Sequence, residues 1–61
     1  MTPFQELLEK AFDAGYTVKL ARAMDGDCYC ALWKDGETIN YTLKSTHFDA
    51  LKKLLKKENI I

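Results

Sequence analysis

The sequence predicts an α+β domain of order α-β-β-β-α, a three-stranded antiparallel meander with two helices packed on one face. Three observations predict it. A segment at each end of the chain spaces its apolar residues at helical intervals and opens on its own capping residue. Residues 16 to 43 between them alternate in character with the period of a strand. Two Asp-Gly turns, Asp25-Gly26 and Asp35-Gly36, cut that block into three strands, with links too short for parallel crossovers.

The first helix is read from Thr2 to Ala14. Thr2-Pro3-Phe4-Gln5 fits a capping box, in which the threonine hydroxyl accepts from the third amide and Gln5 reaches back. Pro3 falls where a missing N–H costs nothing. Phe4, Leu7, Leu8, Ala11 and Phe12 form one apolar stripe. Glu6 complements the helix dipole, and Gly15 supplies a left-handed stop.

The strands are assigned by turn chemistry. A two-residue loop at Asp25-Gly26 would pair Lys19 with Leu32 and draw a lysine into the core. A three-residue loop, Met24-Asp25-Gly26, instead pairs Leu20 with Cys30 and Val18 with Leu32. A two-residue loop at Asp35-Gly36 pairs Leu32 with Ile39, Cys30 with Tyr41 and Cys28 with Leu43, all apolar. The last helix runs from about Thr46 to Glu58. Thr46 caps it, Asp49 sits in its first turn, and Phe48, Leu51, Leu54 and Leu55 form its stripe. Ile60 and Ile61 are expected to fold back on the core. The residues expected to be most buried are Phe12, Leu20, Cys30, Leu32, Tyr41, Leu51 and Leu55.

Residues 1-61 make a single small domain, which buries only about 60% of the surface its unfolded chain exposes. Nine basic residues balance nine acidic ones, so no global field attracts nucleic acid or a membrane. The charge is polarised nonetheless. Residues 44 to 61 carry five lysines against Asp49 and Glu58, while residues 1 to 15 carry Lys10 against Glu6, Glu9 and Asp13. The apolar runs are too short to span a bilayer. The N-terminus lacks a signal-peptide pattern, which points to a cytoplasmic protein. Cys28 and Cys30 are spaced poorly for a disulfide and read as buried reduced thiols. No metal or cofactor is expected.

The uncovered sheet face is the main candidate site. On the register above it carries Thr17, Lys19, Ala21, Tyr29, Ala31, Trp33, Thr38, Asn40 and Thr42. Two large aromatics, Tyr29 and Trp33, stand among small residues, as interface anchors do. Lys19, Asn40 and Thr42 complete the proposed partner-binding set. Lys52, Lys53, Lys56 and Lys57 on the last helix are candidate nucleic-acid contacts, although a solvated helix face has the same pattern. His47 follows a helix cap and reads as a local capping or surface group rather than a base. No phosphate loop or dinucleotide fingerprint is present, so catalysis is not expected.

The element order from about Phe4 to Lys57 resembles the double-stranded-RNA-binding domain. That family grips phosphates with consecutive lysines at the start of its last helix. The matching positions here are Thr46, His47, Phe48 and Asp49, and the lysines come later. The function expected is a small non-enzymatic protein-binding module that docks on a larger partner or on itself. By analogy with the compact domains of phages and mobile elements, it would inhibit a host or defence protein. The alternative is a nucleic-acid-binding accessory protein using the aromatic sheet face or the helix lysines.

Overall fold

The computed structural model describes residues 1–61 and has the expected α+β architecture, in the order α1 (Pro3–Asp13), β1 (Thr17–Arg22), β2 (Cys28–Lys34), β3 (Glu37–Lys44) and α2 (His47–Lys57). The sheet is antiparallel with strand order β1-β2-β3. One face is covered by both helices, α1 over β1 and α2 over β2 and β3. The molecule is a two-layer slab of 31 × 28 × 17 Å.

Local chemistry starts and stops each helix. The capping box at Thr2 forms in full: Gln5 N–H donates to Thr2 Oγ1 at 3.1 Å, and Thr2 N–H to Gln5 Oε1 at 2.9 Å. At the start of α2, Asp49 N–H donates to Thr46 Oγ1 at 3.1 Å. Both helices end in the same paired motif. Gly15, at φ 90°, lets Gly15 N–H reach Phe12 O at 2.9 Å and Tyr16 N–H reach Ala11 O at 3.0 Å. Asn59 does the same for α2 at φ 58°, with Asn59 N–H on Lys56 O and Ile60 N–H on Leu55 O. Ile60 then packs against the core, whereas Ile61 stays 40% exposed.

The two hairpins differ as their turns predict. Ala23 N–H donates to Asp27 O at 2.8 Å, which closes the three-residue loop Met24-Asp25-Gly26, with Gly26 at φ 95°. β1 and β2 therefore take the expected register, Leu20 opposite Cys30 and Val18 opposite Leu32. Asp35 and Gly36 both have positive φ, the two-residue hairpin turn that follows the strand twist. It sets Lys34 opposite Glu37 and Trp33 opposite Thr38.

Beyond that point the expected register fails. A bulge interrupts the ladder at Leu32/Trp33, Ile39 is the extra residue, and Leu32 faces Asn40 rather than Ile39. Every later pair moves by one, so Cys30 faces Thr42 and Cys28 faces Lys44. Because side chains alternate between faces, the shift inverts β3. Tyr41 and Leu43 point away from the helices, and Asn40, Thr42 and Lys44 point toward them.

The core is accordingly smaller than expected. Leu7, Ala11, Cys30, Leu32, Ala50, Leu51, Leu54 and Leu55 form it, with Phe4, Leu8, Tyr16, Val18, Phe48 and Ile60 packed around it. Phe12, Leu20 and Tyr41, expected inside, are 50, 41 and 58% exposed. Phe12 lies at the margin of a helix whose buried line is Leu7 and Ala11. Leu20 sits on an edge strand, and Tyr41 is turned out by the bulge. The helix C-termini meet at one end of the slab, where Tyr16 OH donates to Glu58 Oε1 at 3.3 Å.

Leu51→Ala should cost about 2–5 kcal/mol in urea unfolding, the range for truncating a fully buried leucine. Tyr41→Ala should cost under about 1.5 kcal/mol, the upper range for one aromatic pair; a core-sized loss there would restore the unbulged register. Desolvation and the Glu58 carboxylate, which repels the phenolate and accepts from the phenol, raise the Tyr16 pKa. The stability this bond adds should be present below the unfolded tyrosine value of about 10 and lost as pH rises through the higher folded value. Thermal melts through that alkaline range should show a loss that Tyr16→Phe lacks; identical profiles would contradict the coupling.

Candidate functional site

The open sheet face is built from three rows of paired residues. Thr17, Trp33 and Thr38 form one, Lys19, Ala31 and Tyr41 the next, and Ala21, Tyr29 and Leu43 the third. Tyr29, Trp33 and Lys19 are on this face as expected. Asn40 and Thr42 are not, because the bulge turns them under α2. In their place the face gains Tyr41 and Leu43, 58 and 43% exposed, with Ile39 exposed at the bulge beside them. The face is thus more apolar than its sequence register implied.

Its side chains are ordered by one another. Tyr29 and Tyr41 stack on the diagonal, with ring centroids 5.9 Å apart and planes 30° off parallel. Lys19 Nζ lies 4.6 Å from the centroid of the Trp33 ring on the opposite diagonal. Ala31 is fully buried between these groups although no helix covers this side. The Trp33 indole N–H is covered as well and has no acceptor. At the free edge of β3, Tyr41 N–H donates to Asn40 Oδ1 at 2.8 Å. That bond withdraws a donor from the edge, which disfavours strand addition and leaves the face as the stickier surface.

A second feature lies on the helix side. Lys44, carried to that side by the bulge, faces Asp49, Lys52, Lys53 and Lys56 of α2 across an open groove of about 340 Å³. These helix residues follow i, i+3, i+4, i+7 spacing and form one stripe. Lys57 does not line the groove. Lys44, which the sequence pattern did not single out, joins it only through the β3 register.

The groups that could carry chemistry have structural partners. His47 Nε2–H donates to Ala21 O at 2.8 Å and ties the start of α2 to β1. Cys28 Sγ–H donates to Ser45 O at 3.5 Å, and burial pushes the Cys30 thiol up to about 11. Both thiols are free and buried, so neither is a ready nucleophile. Asp25 Oδ1 accepts from Asp27 N–H within its turn. No helix is long and apolar enough to cross a membrane.

Comparison with protein-family models, curated proteins and solved structures gives no match to this chain.

Trp33→Phe removes an unpaired buried donor, whose desolvation costs about 1–3 kcal/mol, while keeping an aromatic ring under Lys19. Chemical unfolding should therefore place it within about 1 kcal/mol of wild type. A loss well beyond that would mean the indole N–H has an acceptor in solution.

Proposed function

We propose that this protein is a small non-enzymatic protein-binding module whose contact surface is the open sheet face. One observation carries the reading. Tyr29, Trp33, Tyr41 and Leu43 share a helix-free face on which Lys19 is the only charged residue of the three paired rows. Contiguous aromatic and aliphatic surface of this kind marks interaction sites on small soluble domains. A broad face of a 31 × 28 Å slab has room for roughly the 800 Å² that a standard interface takes from each partner. The mutual stacking of Tyr29 and Tyr41 lowers the entropy that binding must remove. The engaged histidine and buried thiols support a binding role over a catalytic one.

A second reading, a nucleic-acid-binding accessory protein, is favoured by the convergence of Lys44 with Lys52, Lys53 and Lys56. The two readings place the contact on opposite sides of the sheet, so one set of variants separates them.

Affinity capture at matched concentrations, with nuclease present, should recover one protein in stoichiometric amount, or sedimentation should show a dimer. Tyr41→Ala or Trp33→Ala should weaken that contact by about 2 kcal/mol, roughly thirtyfold, as anchor residues do. Replacing Lys52, Lys53, Lys56 and Lys57 by glutamine should leave it intact. Full binding by the aromatic variants with loss in the lysine variant would replace the first reading by the second.

A further inference from the structure

We propose that the groove between β3 and α2 is a binding site for a compact polyphosphate anion, two or more linked phosphate groups held by Lys44, Lys52, Lys53 and Lys56. The inference is independent of the open sheet face, which lies on the other side of the sheet.

Charge is the first argument. Four ammonium groups line the groove against one carboxylate, Asp49, a net of three positive charges on a chain whose total is zero. Such a concentration is not imposed by the helix alone. Three of the lysines belong to α2, but the fourth comes from β3 and points into the groove because the bulge sets Lys44 opposite Cys28. Lys44 and Lys53 line the same groove, an arrangement two ammonium ions resist. Hydrogen bonding from Lys44, then the charges of Lys44 and Lys57, then burial all lower the proton affinity of Lys53. An anion seated between them opposes the charge repulsion that lowers the proton affinity of Lys53.

Shape and lining give the ligand class. At about 340 Å³ the groove matches the lower end of small-ligand sites and holds on the order of ten water volumes, more than one phosphate ion fills. No apolar residue lines it, so it offers no platform for a base or an acyl chain. Lysines contact phosphate oxygens as mobile point charges without demanding one planar geometry. The recognised chemistry is therefore the phosphate chain itself, whether free or carried by a nucleotide.

Calorimetric titration of the intact chain with inorganic tripolyphosphate at physiological ionic strength tests the site, with ATP, AMP and single-stranded DNA of increasing length as further arms. Tripolyphosphate and ATP should bind alike and AMP much more weakly. Lys44→Gln and Lys53→Gln should each weaken tripolyphosphate binding about tenfold or more, Lys53→Arg should restore it, and Lys10→Gln on α1 should leave it unchanged. The proposal is overturned if tripolyphosphate does not bind or if Lys44→Gln binds as wild type. It is also overturned if only DNA binds, with affinity growing with length, which would assign the lysines to a nucleic-acid backbone.

Discussion

The one-residue bulge in β3 is the constraint on which both surfaces of this protein depend. It sits two residues past the Asp35-Gly36 turn, where Trp33 still faces Thr38 but Leu32 already faces Asn40. From there a single change of parity does two things. It moves Tyr41 and Leu43 onto the open face, where Tyr41 stacks on Tyr29. It also moves Lys44 under the sheet and against the lysine stripe of α2. Neither the apolar face nor the cationic groove would exist in its present form on a regular ladder.

A domain with ten buried residues holds its shape through its connections as much as its core. The paired carbonyl bonds at Gly15 and Asn59 stop each helix and turn the chain back so that Tyr16 and Ile60 pack inward. Tyr16 then bonds Glu58, while His47 bonds Ala21 at the other end of α2. The last helix is thus fastened to β1 at its start and to the link between α1 and β1 at its end. These polar contacts act across long sequence separations, 42 residues for Tyr16 to Glu58 and 26 for Ala21 to His47.

Much of this was legible in the residues. Thr2, Thr46 and Gly15 act where capping chemistry places them, and the choice of a three-residue loop at Met24-Asp25-Gly26 gave the β1/β2 register correctly. Asn59 was missed because asparagine adopts the left-handed region less often than glycine does. The β3 register was missed because period-two alternation reads equally well from either side. Apolar character alone places Ile39, Tyr41 and Leu43 on the inner side. The signal against that lay in β2, whose run Cys28-Tyr29-Cys30-Ala31-Leu32-Trp33 is apolar on both faces. A strand of that composition needs apolar neighbours on its uncovered side too, and only β3 could supply them. Asn40 and Thr42 left the candidate site for the same reason, and Lys44 entered the groove for the same reason.

The β2-β3 hairpin also poses a choice during folding. One turn, Asp35-Gly36, is compatible with two ladders. The regular one closes first in the geometric sense, because it needs no interruption, and it would shelter Ile39, Tyr41 and Leu43 on the side where α2 docks. The bulged one gives that side to Asn40, Thr42 and Lys44. Both ladders share their first two pairs, Lys34 with Glu37 and Trp33 with Thr38, and diverge from Leu32 onward, where only the bulged one stacks Tyr41 on Tyr29. α2, which follows in the chain, then lays Leu51, Leu54 and Leu55 against the face so offered. A hairpin that zips into the regular ladder before α2 docks has to unzip back to Trp33 to escape. Such a return is a hairpin-scale rearrangement, on the order of 1–10 μs, so a wrong register in this small domain is corrected without holding back the docking of α2.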